Sequence, residues 1–283
     1  EDTRGGWFRR GAPACILGAS KRSRMDAVDI VSYNRKAWTK EVAEGNKWTL
    51  PISPELVAAA RAGDWSVLLT PIKPVPREWF GDLRGINLLC LASGGGQQGP
   101  TFAAAGAKVT VFDNCPAQLA ADEMVAKREG LDIRLEQGDM ADLSRFPDGS
   151  FDLIFHPVSN IFVEDVNPVW RECARVLRKG GVLLAGVLNP LLYIFDLEEW
   201  DRKGTLSVRY KIPYSDIAQL PPDLLASRMA ANEALEFGHS LADLIGGQLD
   251  AGFALTGFFE DSAGGDLLDP YIDTFIATRA IKL

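Results

Sequence analysis

Gly94, Gly96 and Gly99 satisfy G-x-G-x-x-G where an apolar run ends, in LLCLASGGGQQGP over residues 88–100. Glycine lets a chain turn tightly and lets a ligand touch the main chain. A helix with Pro100 near its start follows, and a helix N-terminus offers N–H groups and partial positive charge to an anion. Alone, the pattern is a weak one, and a plain tight turn is its other reading. Asp113 ends the next apolar run, KVTVFD, where a carboxylate accepts hydrogen bonds from two ribose hydroxyls. Its other reading is a turn residue that caps the following helix. Asp139 and Met140 stand together in EQGDMADL, where an acid accepts the adenine amine and a methionine packs on the ring. Gln118 stands one turn into the helix after Asp113, where a glutamine commonly faces solvent. The set points to an adenosine-containing ligand: a nicotinamide or flavin dinucleotide, or S-adenosylmethionine.

These residues need a scaffold that presents strand ends side by side. From residue 85 the chain alternates strand and helix patterns. Strands are expected at INLLCLA, KVTVFD, IRLEQGD, FDLIFHP, GVLLAGVLNP, FALTGFFED and DTFIATRAIKL. Helices are expected at PTFAAAGA, CPAQLAADEMVAKREG, NPVWRECARVLRKG and HSLADLIGGQLDAG. Continuous apolar strands between amphipathic helices imply a mostly parallel sheet covered on both faces. No helix separates the last two strands, so they pair antiparallel. The expected architecture is a Rossmann-like, doubly wound α/β fold with seven strands and an antiparallel last strand. Residues 25–80 read as an N-terminal helical cap and linker, in which Ser53-Pro54 is an N-cap followed by proline. Residues 81–283 form the main domain, with residues 190–238 inserted after the fifth strand.

The series GDMADL, PDGSFDLIFHP and ECARVLRKGGVLLAGV, taken with the glycine loop and Asp113, closely resembles the class I S-adenosylmethionine-dependent methyltransferases, in particular the small-molecule type 11 branch. The resemblance covers roughly residues 85–190. It implies that Ser93 and the Gly94–Gly96 loop, Gly95 included, cradle the methionine part of S-adenosylmethionine, flanked by Gln98. Asp113 and Asn114 then face the ribose, Gln118 its edge, and Asp139 and Met140 the adenine, with S-adenosylhomocysteine as the product. One departure stands out. The family loop reads acid-x-G-x-G-x-G, and these positions fall here on Ala92, Gly94, Gly96 and Gln98. The carbonyls of Ala92 and Ser93, with Ser93 Oγ, are expected to take the ligand's ammonium group in the acid's absence.

A sulfonium is already a strong electrophile, so methyl transfer chiefly needs proximity and alignment. A general base matters only where the acceptor must lose a proton. His156, just after the fourth strand, and His239, before the last helix, are the candidates. Asn160, Tyr33, Trp38 and Tyr193 are expected on the substrate side. Trp200, Tyr210 and Tyr214 share the insertion, where they either line a pocket or form the insertion's own core.

Composition narrows the alternatives. Hydrophobic residues make up 47% of the 283 positions, ample for a core. A net charge of −8 argues against a nucleic-acid binder, which would show a basic face. No apolar run approaches the roughly 18 residues of a membrane span. The four cysteines, Cys15, Cys90, Cys115 and Cys173, are scattered and read as reduced thiols in a cytoplasmic protein, and two histidines make a histidine-rich metal site unexpected. Residues 1–24 are basic and glycine-rich and read as a leader or tag. The acceptor expected is a small molecule. A dinucleotide-dependent oxidoreductase, a nucleic-acid or protein methyltransferase, and a non-catalytic S-adenosylmethionine-binding protein are the other readings.

Overall fold

A computed structural model describes residues 28–283; the expected leader over residues 1–24, with Cys15, lies outside the described residues. Seven strands build the main sheet. They are β1 (Asn87–Leu91), β2 (Lys108–Asp113), β3 (Ile133–Gln137), β4 (Phe151–His156), β5 (Leu177–Leu188), β8 (Phe253–Asp261) and β9 (Phe275–Lys282). Two short strands, β6 (Tyr214–Ser215) and β7 (Phe237–Gly238), pair separately within the insertion. The main order is β3-β2-β1-β4-β5-β9-β8. The first five strands run parallel, and β9 lies antiparallel between β5 and β8, as the missing crossover helix requires.

Period-two alternation sorts the apolar side chains onto two faces. Leu89 and Leu91 of β1 join Ile154 of β4 in a core with Trp170 and Leu244. Leu88 and Cys90 join Leu153 and Phe155 in the opposite core, with Phe80 and Phe102. Helices α3 (Gln98–Ala104) and α4 (Pro116–Glu129) cover the second face, and α5 (Asn167–Val176) covers the first. Pro116 begins α4 and Gly130, at φ 64°, ends it with a left-handed residue. Gly99 allows α3 to lie close on β2: a Cβ there would stand 2.6 Å from Val111 Cγ2. The helix expected at HSLADLIGGQLDAG is a π-helical turn, Ala242–Gly246, that runs into the single turn α9 (Gly247–Asp250).

The cap contributes α1 (Ile30–Ala43) and α2 (Pro54–Arg61), the latter begun by Ser53, whose Oγ accepts the Leu56 amide at 3.4 Å. Residues 66–76 follow as a loop that doubles back, with Leu68 bridging Pro74 antiparallel and the Val75 amide donating to the Val67 carbonyl at 3.0 Å. The carboxylate of Asp261, at the end of β8, anchors this loop by accepting Thr70 Oγ1 and the amides of Ile72 and Lys73 at 2.8–2.9 Å. The insertion holds α6 (Leu197–Lys203), α7 (Asp216–Gln219) and α8 (Pro222–Ala230). Its core of Tyr193, Tyr214, Leu225 and Phe237 also takes in Ile30 of α1 and Val158 beyond β4.

Candidate active site

The sheet reverses its winding between β1 and β4, and open α/β sheets bind ligands beyond the carboxyl ends of their strands at such a point. A cavity of about 350 Å³ lies there. Ser93 and Gly94 beyond β1, Asp113 ending β2, Asp139 and Met140 beyond β3, and Pro157 and Val158 beyond β4 share its wall. Gln98, Asn114, Gln118 and Trp38 also line it. Residues from four strand ends, distant in sequence, are thus brought together.

Gly94 shows why the loop needs glycine. Its amide donates to Asp113 Oδ2 at 2.9 Å, and a Cβ there would lie 2.8 Å from Gln118 Cβ and 3.1 Å from the same carboxylate. Asp113 Oδ1 accepts the Cys115 amide at 2.8 Å, so the residue both shapes the turn into α4 and faces the cavity. Burial pushes its pKa up, against the amides of Cys115, Gly94 and Asn114. Each carboxylate oxygen retains acceptor capacity beyond its one amide. Gln118 Oε1 is buried in the same wall without a hydrogen-bond partner. A carboxylate and an unpartnered amide oxygen beside bare backbone match the hydroxyls and amines of an adenosine-bearing amino acid. The residues present therefore fit S-adenosylmethionine. Asp139 Oδ1 accepts the Ala141 amide at 3.0 Å, which fixes the turn after β3. Asn114 is also a latch: its Nδ2 donates to the Val31 carbonyl at 2.7 Å, and its Oδ1 accepts Arg35 Nε at 3.0 Å. The start of α1 is thereby held over the cavity.

Other expected site residues lie elsewhere. Gly95 and Gly96 do not line the cavity: a Cβ on Gly95 would meet Gln118 Oε1 and the backbone at Trp48 and Thr49, and one on Gly96 the Ala121 backbone and Pro51. His156 falls on the Ile154 face of β4 by strand alternation. It is fully buried there, with Nδ1 3.0 Å from the Leu91 carbonyl and its ring edge-on to Trp170, and burial pulls its pKa down to about 4. His239 Nε2 lies 3.0 Å from the Asn160 carbonyl, and burial lowers its pKa as well. Neither histidine lines the cavity, which corrects their placement at its edge. Asn160 Nδ2 donates to the Gly186 carbonyl at 2.8 Å, joining the turn after β4 to β5 away from the cavity. Tyr33 donates to the Glu233 carbonyl at 3.0 Å, and Tyr193 donates to Glu236 at 2.7 Å and stacks on Tyr214. Both pack with the insertion's core, which corrects the substrate-side placement of Tyr33 and Tyr193, and Trp200 and Tyr210 join that core, the second of their two readings.

The backbone also shifts the register of the loop pattern. Ala92 has φ 46°, the left-handed region that favours glycine. It therefore takes the first glycine position of acid-x-G-x-G-x-G, and the acid position falls on Cys90, wholly buried in β1. The acid found nearby is Asp122 of α4, which accepts the Gly95 amide at 2.9 Å. Sequence reading passed over it, although Gln118 and Asp122 are polar residues four apart on the buried face of one helix. It also passed over Leu68, Leu69, Val158 and Phe162, which form the apolar end of the cavity with Ile30 and Trp38. Trp38 packs edge-on against Phe162 at 5.3 Å.

Fold and cavity together define the class, a doubly wound α/β protein with a cavity at its sheet switch point. A family model described as a methyltransferase domain matches residues 89–185. The Uncharacterized methyltransferase YbaJ of Bacillus subtilis (strain 168) is 51% identical over 254 residues, 90% of this chain and 99% of that protein. Two solved S-adenosylmethionine dependent methyltransferases share the fold at 17% identity. The one from Mesorhizobium loti has a TM-score of 0.56 over 73% of this chain and 95% of its own. The one from Listeria monocytogenes has 0.55 over 80% and 99%. The chain belongs to the methyltransferase family that includes the Bacillus protein.

Proposed function

We propose that the chain transfers a methyl group from S-adenosylmethionine to a small, largely apolar acceptor, without a histidine base. The observation that carries this reading is the single cavity joining Gly94, Asp113, Gln118 and Asp139 to an apolar end. When bound, the donor supplies an electrophilic methyl on a sulfonium. Asp113 then accepts the ribose hydroxyls, Gln118 Oε1 takes an adjacent donor, Asp139 and Met140 hold the adenine, and Ser93 with Gly94 lies along the methionine part. Ile30, Leu69, Val158 and Phe162 orient the acceptor and exclude water, which is the proximity that methyl transfer demands. Among the described residues lining the cavity there is no His, Lys, Arg, Tyr or Cys, so an acceptor that must lose a proton would have to use Glu164 or Asp165, the lining carboxylates not assigned to the donor. The charge of −8 favours a small molecule over nucleic acid. Cys90, Cys115 and Cys173 are free and buried, which supports a cytoplasmic setting. Among the described residues no helix is long and apolar enough to cross a membrane. Calorimetry with S-adenosylhomocysteine, S-adenosylmethionine and NAD tests the donor. Binding of the first two and silence with NAD is expected, and tight NAD binding alone overturns the reading. A metabolite panel with labelled S-adenosylmethionine then seeks the acceptor.

A further inference from the structure

Asp122 is completely buried on α4, yet it carries a carboxyl group with capacity to spare. Oδ2 accepts the Gly95 amide at 2.9 Å, while Oδ1 is buried with no hydrogen-bond partner. A Cβ on Gly99 would lie 3.0 Å from that Oδ1, so glycine at position 99 leaves room for the carboxylate as well as for Val111. Burial of a carboxylate without full pairing is costly, and structures tolerate it where it does something. Its surroundings say what. Asp122 sits behind the turn whose front, Ser93 and Gly94, lines the cavity. Its charge reaches Cys90, the β1 residue that stands at the acid position of the loop pattern.

We propose that Asp122 is the positioning acid of the donor loop, supplying from α4 the carboxylate that the pattern otherwise carries on β1. Strand and helix have exchanged the group: a thiol on β1 leaves a place that the α4 carboxylate fills from the other side of the loop. Asp122 fixes the turn through Gly95 and gives the loop a negative charge to set against the ligand's ammonium. This rests on the reading of the cavity as an S-adenosylmethionine site.

Two titratable groups face Asp122, the Asp113 carboxyl from β2 and the Cys90 thiol from β1. Burial first, and Asp113 in addition, push its pKa up to about 7, against the amides of Gly96 and Gly95. The ammonium group of the ligand favours the ionised form, so binding releases the Asp122 proton and strengthens as pH rises through neutrality.

The test is calorimetry with S-adenosylhomocysteine on the whole chain and on Asp122→Asn between pH 6 and 8. Parent affinity should rise about tenfold across that interval, the limit of one proton released being tenfold per pH unit below the pKa. Asp122→Asn keeps the side chain's shape and should bind about tenfold more weakly at pH 8, as loss of a charge-assisted contact implies. Its pH profile should be the flatter one. Adding Cys90→Asp to Asp122→Asn should restore affinity to within about threefold. A parent that binds well with a flat profile overturns the inference, whether or not the variants fold. So does a folded Asp122→Asn with parental affinity and slope, or a folded double variant as weak as the single one. A parent that does not bind S-adenosylhomocysteine instead overturns the reading of the cavity, a distinct result.

Discussion

Two regions of the molecule bury polar groups, and they differ in how completely those groups are paired. In the insertion, Tyr214 donates to Asp216 Oδ1 at 2.7 Å and Tyr193 to Glu236 Oε2 at 2.7 Å. The Glu236 amide donates to Asp216 Oδ2 at 3.0 Å, and Arg228 lies 3.4 Å from the same carboxylate. Both carboxylates have protein donors, and the region lines no part of the cavity. At the strand ends, Gln118 Oε1 and Asp122 Oδ1 are buried without partners, and Ala92 holds a left-handed backbone. Paired burial serves the fold; unpaired burial and strain beside a cavity point to a group that binds there, whereas the unpartnered His156 Nε2 and Asn160 Oδ1 lie off the cavity. The comparison predicts that damage in the first region appears as lost stability and damage in the second as lost affinity.

The largest effect should follow Asp216→Ala. It removes the acceptor of Tyr214, the Glu236 amide and Arg228 in one step. Breaking a buried ion pair from one side costs about 3 kcal/mol or more. For a chain of this size that is a fall in Tm of roughly 6–12 °C. Affinity for S-adenosylhomocysteine, measured where the variant is folded, should stay within about twofold of the parent's. Equal Tm values would show that the insertion's network contributes nothing to stability.

Asp113→Ala should show the reverse pattern. Loss of charged hydrogen bonds to ribose weakens S-adenosylhomocysteine by about 1.5–3 kcal/mol, or tenfold to a hundredfold. The Gly94 and Cys115 amides lose an acceptor at a partly open wall, so Tm should fall by less than half as much as in Asp216→Ala. A folded variant with parental affinity would leave Asp113 as the turn former alone.

Sequence pattern carried the scaffold and part of the site, and the reason is local in each case. Most of the seven strands were legible as apolar runs bounded by turn residues, and β3, IRLEQ, by its alternation between two helical stretches. Gly94, Asp113 and Asp139 were legible because each closes such a run, where ligands of α/β sheets gather. Asp122 was not, since its meaning depends on Gly95, 27 positions earlier, and appears only once α4 packs beside the loop. The histidines misled for a related reason. A strand end suggests the cleft, but alternation along β4 turns His156 towards Trp170, a direction that its position at the strand terminus conceals. The insertion's tyrosines carried both readings until the packing of Tyr193 on Tyr214 gave them to the core.

A pH experiment sharpens the insertion's side of the comparison. Burial first, then the neighbouring Asp216 charge, raise the Glu236 pKa from 4.5 to about 7, although Arg228 and the Tyr193 hydroxyl oppose the shift. Glu233 also faces it. The folded chain thus keeps a proton that the unfolded chain releases near 4.5. A raised carboxyl pKa contributes stability that is fully present below the unfolded value and is lost as pH rises through the folded one. Parent Tm should therefore decline relative to Glu236→Gln between about pH 4.5 and 7 and level off above. Parallel Tm profiles would show that Glu236 does not titrate in this way.

The smallest effect is expected at His239, the residue that sequence alone made the best candidate for a base. Its Nε2 lies 3.0 Å from the Asn160 carbonyl, so a ring N–H is engaged in holding the end of β7 to the turn after β4. Burial lowers its pKa, although Asp243 and Asp165 act in the opposite direction. Burial thus favours the neutral ring, in which Nε2, facing the Asn160 carbonyl, carries the N–H and takes no further proton. Glutamine offers an N–H of similar reach. His239→Gln should therefore keep the contact, lower Tm by no more than about 4 °C for 1 kcal/mol of imperfect packing, and leave S-adenosylhomocysteine affinity unchanged. Turnover with any acceptor found in the metabolite panel should stay within about threefold, because less than 1 kcal/mol is lost, and its pH profile should be that of the parent. A hundredfold loss of turnover at full cofactor affinity, with the limb near neutrality removed, would restore the base role and place the acceptor on the β7 side of the cleft.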